Sequence, residues 1–216
     1  MGGALREPTL SCERRFVVRV SVSRALPCGG SWQLEPYAEG VQRSEVLFVG
    51  GRAGVGKSSV ALELHEQLFA QRVEHCVIEG DNLDLAYPPP WEHNLAEKNL
   101  SDMWRNYRAL GYRRLVYTNT VSVLETEGLA VAMGDTPLIK AVLLRASDTT
   151  TATRLEGRET ATTLQLHLDR SRLRAAELEQ KTPSWVYRIN TDDKSISAVT
   201  LEILGLLGWT RPEPGA

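Results

Sequence analysis

The stretch Gly51-Arg52-Ala53-Gly54-Val55-Gly56-Lys57-Ser58 satisfies the pattern G-x-x-x-x-G-K-[ST]. Each part of that pattern has a physical role. The glycines let the backbone curl so that successive N–H groups face inward onto phosphate oxygens, the lysine reaches the β- and γ-phosphates, and the serine hydroxyl reaches Mg²⁺. The flanks agree with it. Val46-Leu47-Phe48-Val49 is a short apolar run closed by Gly50-Gly51, as expected of a buried parallel strand. After the loop, Val60, Ala61, Leu64 and Leu68 recur at helical spacing. A helix starting at the loop adds its positive dipole end to the anion site. Gly51, Arg52, Ala53, Gly54, Val55, Gly56, Lys57, Ser58 and Ser59 are therefore the expected binding segment for a nucleoside triphosphate, with Lys57 acting on the phosphates and Ser58 on the metal. ATP and Mg²⁺ are the ligands expected.

Downstream, strands alternate with helices. His75 to Ile78 reads as a second strand that ends in Glu79-Gly80-Asp81-Asn82, and Pro88-Pro89-Pro90 forbids a regular element after it. Asn94 to Leu110 reads as a helix with Met103, Tyr107 and Leu110 on one face, stopped by Gly111. Leu115 to Tyr117, Ile139 to Leu144 and Trp185 to Ile189 are the third, fourth and fifth strands. Thr150 to Lys181 is a long helical stretch, and Ser195 to Leu207 a closing amphipathic helix. Val121 to Thr136 fits a helix in its apolar residues but carries Gly128 and Gly134. Such alternation predicts an α/β fold, an open parallel sheet with right-handed crossovers.

The domain that carries the loop is expected over residues 45–211. Residues 1–44 are rich in Gly and Pro and read as a poorly packed extension, or as a non-native product of an upstream start. Arg14-Arg15 lacks the apolar stretch that an export signal needs. The chain has 216 residues and a formal net charge of −2, which counts against a protein that grips nucleic acid backbone. No apolar run reaches the length of a membrane span. Three scattered cysteines, Cys12, Cys28 and Cys76, suit neither a disulfide scaffold nor a zinc site. A cytoplasmic monomer or homodimer is expected, with no nucleic-acid or membrane partner. Lysine stands only at Lys57, Lys98, Lys140, Lys181 and Lys194, and the rest of the 25 basic residues are arginine.

P-loop proteins that hydrolyse ATP for work usually carry a carboxylate at the end of an apolar strand. Here the third strand ends in Thr118-Asn119-Thr120, and the acids follow the second strand as Glu79, Asp81 and Asp84. A carboxylate beside the phosphate loop can bind Mg²⁺ or accept the proton of an attacking hydroxyl. The string Ile78-Glu79-Gly80-Asp81-Asn82 resembles the D-G-D-N segment of adenylyl-sulfate kinases, and it is similar to the D-x-D element of the chloramphenicol phosphotransferases. Thr153-Arg154-Leu155-Glu156-Gly157-Arg158 is similar to the entry to the lid of these small-molecule P-loop kinases, and Val186 to Trp209 to their last strand, adenine loop and closing helix.

The resemblance, over about Glu45 to Trp209, implies the three-layer P-loop NTPase fold. It predicts a five-stranded parallel sheet in order 2-3-1-4-5 and a helical lid within about residues 150–181. It implies that Asn190 and Thr191 lie against the nucleotide and that Arg154 and Arg158 close over the triphosphate. It also implies that Asp81 serves the metal and the acceptor hydroxyl, with the base drawn from Glu79, Asp81 and Asp84. Arg170 and Arg174 have the same spacing as the lid pair and read as a solvated helix face. The adenylyl-sulfate kinases follow D-G-D-N with a substrate-gripping arginine, where this chain has Leu83. On the acceptor side the expected residues are Asp84, Trp91, His93, Arg105 and Arg108, with Trp104 and Tyr107 equally suited to packing a helix on the sheet. The expected activity is ATP-dependent phosphorylation of a hydroxyl on a small molecule. The alternative is a regulatory nucleotide-binding module that phosphorylates no small molecule.

Overall fold

The computed structural model describes residues 43–156 and 161–209. Five strands, β1 (Glu45–Gly50), β2 (Cys76–Glu79), β3 (Arg114–Thr118), β4 (Leu138–Arg145) and β5 (Tyr187–Asn190), form one sheet. Among the described residues six α-helices connect or follow them: α1 (Lys57–Ala70), α2 (Leu95–Ala109), α3 (Thr126–Met133), α4 (Asp148–Glu156), α5 (Ala161–Lys181) and α6 (Ile196–Leu207). The sheet order is β2-β3-β1-β4-β5 and all four pairings are parallel, as the resemblance implies.

Alternation along β1 shows why the sheet must be covered on both sides. Val46 and Phe48 join one core with Trp104 of α2, Leu129 of α3 and Leu178 of α5. Leu47 and Val49 join the other with Leu64 of α1 and Ile203 of α6. Successive side chains of a strand point to opposite faces, so an unbroken apolar run is stable only between two helical layers. The three-layer fold follows from that run.

The long helical stretch holds α4 and α5, and residues 157–160 between them lie outside the described residues. Two expectations are corrected. The uncertain segment holds a helix only over Thr126–Met133, closed by Gly134 at φ 74°. On α2 the core face is Leu100 and Trp104, whereas Met103 and Leu110 are exposed. Both sets have helical spacing, and the sheet selects between them because Trp104 fills the space above β1 and β3 and its indole N–H bonds Asp135 Oδ2 at 3.3 Å. Of the extension assigned to residues 1–44, all but Arg43 and Ser44 lie outside the described residues.

Asp135 gathers groups at the amino end of the strands. It accepts a hydrogen bond from the Ser44 hydroxyl and forms a 3.2 Å ion pair with Arg108. Trp104 is fully buried in this cluster. Trp104→Ala is expected to lower the unfolding free energy by about 3–5 kcal/mol, read from the urea midpoint at unchanged slope.

Candidate active site

Strand β1 ends at Gly50, and the phosphate loop folds back over the carboxyl ends of the strands before α1 begins at Lys57. Gly51 has φ 145°, and a Cβ there would stand 2.7 Å from the Leu144 carbonyl of β4. No other residue type fits that turn. The Arg52 side chain does not face the loop interior. It is buried and bolts the loop to the segment after β4, through Asp148 at 2.6 Å and the Ala146 carbonyl at 2.8 Å. Only its backbone is available to a phosphate. Lys57 Nζ lies under the loop, 2.9 Å from the Gly51 carbonyl and 3.4 Å from the Thr120 hydroxyl. Burial lowers its pKa from the ordinary value, while Asp81 and Glu79 pull it back up.

The carboxylates after β2 take separate places. Glu79 Oε1 accepts from Ser58 Oγ at 3.3 Å and from Thr118 Oγ1 at 2.7 Å. Asp81 Oδ1 accepts from the Thr120 N–H at 3.4 Å. So it is Glu79, not Asp81, that reaches the expected metal-binding serine. The threonines at the end of β3 stand where an acid was sought, and they orient the two carboxylates of the neighbouring strand. Ser58 and Glu79 are hard oxygen donors of the kind magnesium takes, at the end of the phosphate loop, so the residues fit the ion. Among the described residues no three His, Cys, Asp or Glu side chains converge on one metal position.

Two cavities flank the loop. One, of about 460 Å³, is lined by Gly54, Gly56, Ser59, Arg154, Thr191 and Val199. Arg154 belongs to this side. Its guanidinium donates to Thr191 Oγ1 and to the Thr191 carbonyl, both at 3.1 Å, and reaches the Gly54 and Val55 carbonyls at 3.4 Å. Asn190 turns its side chain to the Asp192 N–H instead. The second cavity, also about 460 Å³, opens on the Asp81 side between the loop after β2, the start of α2 and the turn after β3. Asp84 lines it, with Leu95, Val121 and Leu129 as an apolar wall.

Arg105 and Arg108 are corrected as acceptor residues. Arg105 pairs with exposed Asp102, and Arg108 pairs with Asp135 at the amino end of the sheet. That end is separated from the phosphate loop by the length of β1, about 16 Å at ~3.3 Å per residue. Helix α2 starts at the cavity and runs away from it, so its last turns cannot serve the site. His93 is exposed on the short turn Trp91–His93 and does not line the Asp81 cavity. Arg158 and the Trp91 side chain lie outside what the structure describes.

Residues read as a solvated face prove to line the site. Arg170 and Arg174, with Ala53 of the loop and Thr120, border a further cavity, and Ser171 between them donates to the Ala53 carbonyl at 3.2 Å. Helix α5 thus crosses the open side of the loop. The i, i+4 spacing contained the signal, but only the placement of α5 shows which way that face looks.

The sheet order, the phosphate loop and the carboxylates after β2 define a P-loop protein with the fold of the small nucleotide and metabolite kinases. Residues 43–105 match the family described as adenylylsulphate kinase, which bears out the resemblance over the loop, β2 and most of α2. Solved structures share the fold over most of the chain. The tunicamycin resistance protein of Deinococcus radiodurans is 21% identical, with a TM-score of 0.56, over 80% of this chain and 100% of that one. Shikimate kinase from Acinetobacter baumannii, solved with shikimate, is 12% identical with a TM-score of 0.51, over 76% and 93%. A gluconokinase from Sinorhizobium meliloti is 18% identical with a TM-score of 0.50, over 77% and 93%. No curated protein matches the chain. Among the described residues no helix is long and apolar enough to cross a membrane.

Proposed function

We propose that this protein is an ATP-dependent phosphotransferase acting on a hydroxyl of a small molecule. One observation carries the reading: Asp81 lines a ligand-sized cavity and shares Thr120 with Lys57, so a carboxylate and the phosphate-binding ammonium meet at the cavity mouth. The loop amides and Lys57 hold the phosphates, and Arg154 with Thr191 shapes the nucleoside side. Ser58 and Glu79 are the donors for magnesium, which when bound neutralises charge on the β- and γ-phosphates. The acceptor oxygen forms a bond to the γ-phosphorus as its proton passes to the Asp81 carboxylate. The bond from the γ-phosphorus to the bridging oxygen breaks, and ADP leaves with that electron pair. Arg170 and Arg174, on the helix over the loop, supply positive charge to the transferring group.

The test is incubation of the full chain with γ-labelled ATP, Mg²⁺ and a panel of hydroxylated metabolites. Acceptor-dependent formation of a phosphorylated product, equimolar with ADP, is expected. Nucleotide turnover or binding that no acceptor in the panel changes would favour the regulatory module. The division of the arginines predicts a kinetic split. Arg154→Ala raises the KM for ATP about tenfold at nearly constant kcat, whereas Arg170→Ala lowers kcat more than it raises that KM.

A further inference from the structure

Beyond the phosphates, the Asp81 cavity is unusual in its charge. Asp81, Asp84, Glu97 and Glu125 all line it, from the loop after β2, the first turn of α2 and the residue before α3. Among the described residues that line it one is a cation, Arg174, whose guanidinium is paired with Glu177, while Lys57 stands at the mouth on the loop side. Leu83 is buried in the core and brings no charge. A carboxylate, sulfate or phosphate on the acceptor would therefore meet repulsion from three sides. The carboxylates are too dispersed to cage a metal ion, since among the described residues no three acidic, His or Cys side chains share a metal position. A wider organic cation suits that spread.

A second observation marks the same space as a ligand site. Tyr117 is 1% exposed and lines the cavity, yet its hydroxyl makes no hydrogen bond to another described residue. It is held there from below by edge-on packing against Phe48, with ring centroids 5.7 Å apart, and it passes so close to Gly80 that a Cβ there would stand 2.3 Å from the hydroxyl. The hydroxyl opens on the cavity and is placed to take a polar partner there. The pKa shifts agree in direction. Glu125 is raised by burial, then by Glu97, and Asp84 adds to it, while Arg174 opposes.

Resting on the phosphotransferase reading of this site, we infer that the acceptor is an amino alcohol of the amino-sugar or aminocyclitol kind, its ammonium held by Asp84, Glu97 and Glu125 while Tyr117 and Asp81 take its hydroxyls. An alkyl ammonium is charged at neutral pH, and facing carboxylates in a partly closed cavity keep it so. The reacting hydroxyl lies toward Thr120 and the loop, and the amine lies away from it, where it also offsets the charge that a nucleotide triphosphate brings to the cavity mouth.

The test uses matched ligands in which one position is amino, hydroxyl or carboxyl: glucosamine, glucose and glucuronate, with the equivalent cyclitol and nucleoside triples. Binding to the full chain is measured by ligand-observed NMR in the presence of a non-hydrolysable ATP analogue, and turnover separately with ATP. In at least one scaffold the amine is expected to bind at least about tenfold more tightly than the alcohol, with the acid weakest. Glu97→Gln and Glu125→Gln each erase several-fold of that preference, read as the ratio of amine to alcohol affinity. Turnover of an acid at a rate equal to its amine, or no preference for the amine in any scaffold, overturns the inference and leaves the kinase reading intact. Preferential amine binding without phosphorylation of any acceptor removes the kinase reading and with it the acceptor role, and leaves only a cavity selective for an organic cation.

Discussion

Lys57→Ala is expected to abolish phosphoryl transfer, by about 10³-fold or more in kcat, without unfolding the protein. Lys57 is the lysine of the loop motif, and its charged end lies beneath the curled backbone. It is 8% exposed, and its Nζ is held by the Gly51 and Arg52 carbonyls and by Thr120. A preorganised charge in so dry a site is worth far more to a phosphoryl transition state than the same charge in water. The stability effect runs the other way. Burial disfavours the ammonium, and Asp81 and Glu79 compensate it only in part, so its removal relieves a desolvation cost. A thermal melt of the variant beside the parent chain separates lost chemistry from lost folding. Lys57→Arg is expected to be as inactive, because a planar fork does not fit where a point charge is enclosed. The checks are kcat with saturating ATP and acceptor, beside a thermal melt. An alanine variant that turned over within tenfold of the parent would mean that the phosphates are not held at this loop.

How much of this was written in the chain depends on the range over which each feature is decided. The phosphate loop is local: eight consecutive residues and the apolar runs around them specify a strand, a turn and a helix, and the structure builds all three. The sheet order was legible through the resemblance, since alternating apolar runs demand two helical covers but do not number the strands. The face of α2 was not legible. Met103 and Leu110 have the same helical period as Leu100 and Trp104, and only the sheet beneath decides which set is buried. Arginine roles were the least legible. Arg108 looked like an acceptor residue because it follows the second strand, yet a helix of 15 residues carries it to the far end of the sheet, onto Asp135. Arg170 and Arg174 looked like a solvated face, yet the crossing of α5 turns them toward Ala53 and Thr120. A long side chain reports its neighbourhood only after the elements have packed. The same holds for the threonines after β3, whose value is the orientation of Glu79 and Asp81 on the adjacent strand.

Asp81→Asn is expected to lower kcat by about 10² to 10⁴ while leaving the KM for ATP nearly unchanged. The substitution keeps the shape and the acceptor oxygen for the Thr120 N–H, so the loop after β2 should hold its course, with Leu83 still buried in the core and its carbonyl still bound by Asn99 Nδ2 at 2.5 Å. What it removes is the ability to take a proton from the attacking hydroxyl. Glu79 cannot readily substitute, because its Oε1 is engaged by Ser58 and Thr118 on the metal side of the loop. Glu79→Gln should instead shift the magnesium concentration needed for half-maximal rate, which distinguishes a metal-side role from a base. Asp84 lines the same cavity and offers the sharper competitor. If Asp84→Asn raises the acceptor KM and spares kcat while Asp81→Asn does the reverse, then Asp81 works on the reacting hydroxyl and Asp84 on the rest of the acceptor. Near-normal turnover in the Asp81 variant would move the base to Glu79 or Asp84, and the cavity would then have to be read from the other end.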